Sequence, residues 1–134
     1  MMRIAAQAAK RHNVPVLCSM TFEGGGRTMM GNTVQQIVDT LTPLGINAIG
    51  MNCSLGPVEA MTVIRQFHEA TDLPLFFKPN SGKPVITPDG QEIAPYTEEH
   101  FAQEVAPALE FVRYIGGCCG CDDTYIRALK RLME

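Results

Sequence analysis

The sequence predicts an α/β protein of four consecutive βα units with parallel strands. Three observations carry that assignment. Four short, almost continuously apolar segments recur roughly every 30 residues, the repeat of a βα unit. Apolar residues between them fall at helical spacing. Each apolar segment then runs into a loop rich in Gly, Asn, Ser or Pro. Unbroken apolar strands suit a parallel sheet buried on both faces.

Each element has its own signal. A helix over Met2–Arg11 precedes a first strand over Val14–Met20. Val34, Ile37, Val38, Leu41 and Leu44 place a helix over Thr33–Leu44, and Gly45 suits its C-terminal cap. The second strand covers Ile46–Met51. Pro57 fits the first turn of a helix carrying Val58, Met61, Ile64 and Phe67. A third strand follows over Leu73–Phe77. Thr97, with Glu98 and Glu99 behind it, caps a helix bearing Phe101, Val105 and Leu109, which Pro107 should interrupt. The fourth strand spans Phe111–Ile115. Asp122 caps the last helix, with Ile126, Leu129 and Leu132 expected on one face.

Composition sets the outer bounds. The 134 residues suit one compact domain, and 46% apolar against 19% charged residues excludes intrinsic disorder. A net charge of −3 supplies no basic field for nucleic acid or an anionic membrane, so neither is an expected partner. No apolar signal-peptide core opens the chain, and no stretch of ~20 apolar residues spans a bilayer. The expectation is a soluble cytoplasmic protein.

Five cysteines stand out: Cys18, Cys53, Cys118, Cys119 and Cys121. An odd number without a secretion signal argues against a disulfide scaffold and leaves metal binding or thiol chemistry. Cys53 ends the second strand and Cys118–Cys119 the fourth, so parallel strands bring both loops to one edge of the sheet, where α/β folds bind ligands. Gly116, Gly117 and Gly120 permit the backbone that turns adjacent thiols toward one centre. Three thiolates suit zinc and leave one coordination position open. A substrate thiol there would be held as thiolate, able to attack an electrophilic methyl group. Other readings remain open for the same residues. Cys121 or a histidine could close a structural zinc site, Cys118–Cys119 could form a vicinal disulfide, and Cys118 and Cys121 share the C-x-x-C spacing of redox modules. Cys18 alone reads as a small buried hydrophobe. His12, His68 and His100 read as surface residues, and Met20, Met29, Met30 and Met51 as packing. Asn52 and Asn80 orient the site, contact substrate, or simply shape their loops.

These loops resemble the homocysteine S-methyltransferase family. Gly50-Met51-Asn52-Cys53 with Leu55-Gly56-Pro57 is similar to its G-x-N-C…G-P motif, and Gly116-Gly117-Cys118-Cys119-Gly120 matches G-G-C-C-G without substitution. Ser19-Met20-Thr21-Phe22 with Gly26-Arg27-Thr28, and Pro79-Asn80-Ser81-Gly82 with Pro84, resemble the two remaining strand-end loops. All four stand in the family's order, and the likeness is greatest to the zinc/homocysteine module of cobalamin-dependent methionine synthase. The resemblance implies a (β/α)8 TIM barrel with Zn2+ at its C-terminal mouth, held at the positions of Cys53, Cys118 and Cys119. It implies homocysteine, or a similar thiol, as substrate, with methionine as product. The donor would be methylcobalamin or another methylcorrinoid, betaine or S-methylmethionine, and the methionine synthase likeness favours the corrinoid.

The likeness covers nearly the whole chain but only the second half of the barrel, its last four strands. The family's opening Asp-Gly-Ala-Met-Gly-Thr-type motif is absent here, as is the acidic residue that helps hold the substrate's amino group. Cys121 stands where the family commonly has a small hydroxyl residue. Residues 1–134 therefore read as a single partial domain, a half-barrel acting as a fragment or subunit. The alternative is a non-catalytic zinc-binding remnant or partner subunit. Exposed first and fourth strands predict a homodimer, or a complementary N-terminal half-barrel chain as partner.

Overall fold

The computed structural model describes residues 1–83, 85–93 and 95–134. The chain runs α1 (Met2–Lys10), β1 (Leu17–Met20), α2 (Val34–Leu41), a 3₁₀ turn (Thr42–Leu44), β2 (Ala48–Asn52), α3 (Pro57–Ala70) and β3 (Leu75–Lys78). A hairpin of β4 (Val85–Ile86) and β5 (Glu92–Ile93) follows. Then come α4 (Glu98–Val105), a 3₁₀ segment (Ala106–Glu110), β6 (Tyr114–Ile115) and α5 (Asp123–Met133). The main sheet has four strands in the order β1-β2-β3-β6, and every pair is parallel. Strands thus add in chain order from one edge to the other. The expected α/β class with four parallel βα units is what the chain adopts.

Register explains the core. Cys18 pairs with Ile49, Ile49 with Leu75, Met51 with Phe77 and Phe77 with Ile115. Cys18, Ile49, Met51, Leu75 and Phe77 are all buried, whereas their neighbours Leu17 and Tyr114 stand 46% and 43% exposed. Side chains alternate across a strand, so one face of the sheet carries the core and the other is the more open. α2 packs on α3, α3 on α4 and α4 on α5. Val34, Ile37, Val38 and Leu41 of α2, Ala60, Val63, Ile64 and Phe67 of α3, and Phe101 and Val105 of α4 join that core. Each large side chain so buried contributes about 1.5–3 kcal/mol.

Local chemistry fixes the helix ends. Thr33 and Gln36 form a reciprocal capping box at α2, and Gly45 closes the following turn at φ 68°. Pro57 opens α3 as expected, and Thr97 and Asp122 cap α4 and α5 through their side chains. Pro107 lies where α4 gives way to 3₁₀ geometry. At Gly50 a side chain is impossible, because its Cβ would fall 1.8 Å from the Phe76 carbonyl oxygen in the neighbouring strand.

Several expectations need correction. β1 begins at Leu17 rather than Val14, because Pro15 has no N–H and the Val16 N–H is taken by the Asn47 side chain. β6 keeps only two residues. The N–H groups of Phe111 and Val112 bond back to Ala108, extending the preceding turn into the segment expected to be strand. On α5 the buried face is Tyr125, Ala128 and Leu129, while Ile126 and Leu132 are 48% and 44% exposed. Met29 and Met30 are 85% and 86% exposed and do not pack, unlike Met51, which is fully buried. The hairpin β4–β5 has no counterpart among the expected elements. Its signal was Asp89-Gly90, with Gly90 at φ 83° and the Gly90 N–H bonded to the Thr87 carbonyl. Pro84 lies outside the described residues. Among them, no helix is long and apolar enough to cross a membrane.

Candidate metal centre

The ends of β2, β3 and β6 meet at one corner of the sheet. Asn52 pairs with Lys78, and immediately beyond them the Cys53 N–H bonds to the Lys78 carbonyl at 3.0 Å. The chain then turns sharply. Cys53 and Ser54 both take left-handed backbone, at φ 65° and 59°, and the Leu55 N–H closes back on the Cys53 carbonyl at 2.7 Å. Two consecutive non-glycine residues in this region cost about 1–2 kcal/mol each, strain of the kind that gathers at functional sites. Here it turns Cys53 toward the loop after β6.

The loop after β3 stitches the other two together. The Asn80 N–H donates to the Leu55 carbonyl at 2.9 Å, and the Asn80 Oδ1 accepts the Cys119 N–H at 3.1 Å. Ser81, 1% exposed, donates its N–H to the Cys119 carbonyl at 3.0 Å and its hydroxyl to the same oxygen at 3.4 Å. The Cys118 N–H reaches the Pro79 carbonyl at 2.9 Å. Both polar backbone groups of Cys119 are therefore fixed from the loop after β3.

The result is a compact sulfur cluster. The Sγ atoms of Cys53, Cys118 and Cys119 all lie within 4.8 Å of one another, and Cys53 and Cys119 approach to 3.4 Å. A tetrahedral zinc with Zn–S bonds of about 2.3 Å would set its sulfurs about 3.8 Å apart, so this donor set fits such an ion with small shifts. Cys118 and Cys53 are half-buried and Cys119 is exposed, so the cluster opens to solvent on one side. The Cys119 thiol and the Ser54 N–H donate to Cys53 and hold its pKa below the usual thiol value. The same thiol contact, reinforced by Cys118, pushes Cys119 up to about 11. The one contact thus lowers Cys53 and raises Cys119, and the two thiols titrate as a pair.

The remaining candidates separate cleanly. The Asn80 Oδ1 holds the Cys119 N–H, while the Asn52 side chain accepts the Ser19 hydroxyl at 2.6 Å and ties β1 to β2. Cys121 lies outside the three-sulfur group, half-buried, with burial pushing its thiol up to about 11. Cys18 is buried among apolar residues, and burial raises its pKa. All five cysteines are free thiols, so Cys118 and Cys119 are not joined. His12, His68 and His100 are exposed. Ser81 is the residue whose role sequence reasoning missed, although its Pro79-Asn80-Ser81-Gly82 loop was singled out.

Comparison with known proteins decides the family. The family model described as homocysteine S-methyltransferase matches residues 1–133. The chain belongs to the homocysteine S-methyltransferase family. Within it, the methionine synthase of Mycobacterium tuberculosis is 33% identical over 127 residues, which make up 93% of this chain and 10% of that protein. The methionine synthase of Mycobacterium leprae gives the same identity and coverage. Among solved structures, the oxidized form of the homocysteine methyltransferase MmuM from Escherichia coli superposes with a TM-score of 0.74 at 24% identity. That match covers 96% of this chain and 40% of the MmuM chain. The metallated form of MmuM gives a TM-score of 0.72 at 22% identity, with the same coverage. These two likenesses establish the shared fold. The family member described here thus spans about a tenth of the methionine synthases and 40% of MmuM.

Proposed function

We propose that this chain is the metal-binding portion of a homocysteine S-methyltransferase, in which Cys53, Cys118 and Cys119 hold one zinc ion and homocysteine accepts a methyl group on sulfur. The observation that carries this reading is the three-sulfur cluster, assembled from loops 65 residues apart and matching the family's two cysteine motifs. Zinc bound there would stabilise a substrate thiolate near neutral pH in its fourth position. The protein's own part is orientation. Asn80 and Ser81 fix both backbone polar groups of Cys119, and the left-handed turn at Cys53–Ser54 aims the third sulfur. The substrate thiol loses its proton to solvent, a carbon–sulfur bond forms, and the methyl's bond to its donor breaks. A methylcorrinoid such as methylcobalamin is the donor we favour, because the curated relatives at 33% identity are methionine synthases. Asn52 borders the open face beside Lys78 and is the second residue we place near substrate. A reducing cytoplasmic setting belongs to the same proposal, since three free thiolates are needed.

Residues 1–134 would act as one half-barrel unit, completed by a second copy or by a complementary N-terminal half-barrel. Among the described residues β1 and β6 form the two edges of the sheet, and those edges motivate that reading. The competing reading is a zinc-binding half-barrel without turnover. Methyl transfer from methylcobalamin to homocysteine, followed by methionine formation, separates the two. Turnover by the purified chain, alone or with the complementary half, is expected. Stoichiometric zinc with no methionine under both conditions would establish the non-catalytic reading instead.

A further inference from the structure

Cys121 is a fourth thiol beside the cluster that the proposed metal site does not use. Its N–H bonds to the Cys118 carbonyl at 3.1 Å, with Gly120 between them at φ 79°. That bond closes a four-residue turn, which by its geometry brings the Cα atoms of Cys118 and Cys121 within about 7 Å. Disulfides span Cα separations of about 4.4–6.8 Å. The Cys121 side chain also folds back along the chain onto Gly117. A Cβ built on Gly117 would lie 2.6 Å from the Cys121 Sγ, so that sulfur occupies the space directly beside the residue preceding Cys118. Cys53 and Cys119 are already in contact at 3.4 Å. Cys121 is the one nearby sulfur outside the three-sulfur group, and it shares a closed turn with Cys118.

We infer that Cys121 is a resolving thiol: a small disulfide such as glutathione disulfide converts Cys118 and Cys121 into a disulfide within their own turn, removing Cys118 from the metal donor set. The exchange balances without a further reactant. The Cys118 thiolate attacks one glutathione sulfur, forming a mixed disulfide and releasing one glutathione. The Cys121 thiolate then attacks the Cys118 sulfur and releases the second. Two protein thiols are oxidised, one small disulfide is reduced, and both thiol protons end on glutathione. One sulfur cannot serve the metal and this disulfide together, so metal loading and oxidation exclude each other. The inference rests on the proposed metal reading for its consequence but not for its chemistry.

The test treats metal-free protein with glutathione disulfide, blocks remaining thiols with an alkylating agent, and maps the tryptic peptide Tyr114–Arg127. Fragment ions joining Cys118 to Cys121 are expected. In Cys121→Ser the bond within the turn cannot form, and Cys118 should instead carry glutathione or be joined to Cys53 or Cys119. Zinc-loaded wild type should react at least ten-fold more slowly and release zinc in step with the bond. Full alkylation of Cys121 in oxidised wild type would overturn the inference. So would a Cys121→Ser variant whose cobalt-substituted form loses a quarter of its thiolate-to-metal absorption, since Cys121 would then be a ligand. Absence of zinc binding by otherwise folded protein would defeat the metal reading while leaving the peptide map to decide the thiol chemistry.

Discussion

Cys53 reaches the cluster through backbone that L-residues seldom adopt, and its neighbour Ser54 shares that conformation. Replacing Ser54 by Gly removes the clash between Cβ and carbonyl at that position. Thermal unfolding should show Ser54→Gly at least as stable as wild type despite the usual entropic cost of glycine. Asn80 acts differently, by occupying the Cys119 N–H. Asn80→Ala should lower stability by about 1 kcal/mol and zinc affinity by about ten-fold, measured by denaturant titration and chelator competition. An unchanged affinity would limit Asn80 to loop formation. The raised Cys119 thiol has a consequence for pH as well. Cys119, pushed up to about 11, is protonated at neutral pH without metal, so capture must expel that proton. Zinc affinity should therefore rise with pH by about ten-fold per unit for this proton alone, as competition titrations at pH 6.5 and 7.5 would show.

At the level of elements, β2 depends on glycine where it crosses β3. Gly50→Ala would drive its Cβ into the Phe76 backbone, a collision no rotamer relieves, and should cost more than about 2 kcal/mol in denaturant unfolding. Thr33→Ala, which breaks the capping box of α2, should cost only about 1 kcal/mol. Such elements were legible in the sequence because their signals are local: helical spacing in α2, Pro57 at the start of α3, Thr97 and Asp122 at caps. Strand ends were less legible. They depend on which neighbour takes each N–H, as Asn47 does at Val16 and Ala108 does at Phe111. The cluster itself was readable from its motifs, and the roles of Ser81 and Asn52 were not. Ser81 matters through a carbonyl 38 residues away, and no spacing rule reports such a contact.

Across the whole molecule, the described residues present a parallel sheet with free edges at β1 and β6, and an open face carrying Leu17 and Tyr114. Light scattering on the purified chain should give the mass of a dimer; a well-behaved monomer would contradict self-pairing and direct attention to a complementary chain. Oligomeric state, however, bears on completeness rather than chemistry. The proposed chemistry rests on three cysteines from two loops sharing one metal ion. Zinc analysis of the wild-type chain against Cys53→Ser tests that directly. One zinc per chain in the wild type and an affinity weaker by more than about 100-fold in the variant are expected. Equal zinc content and affinity in both would contradict the shared site.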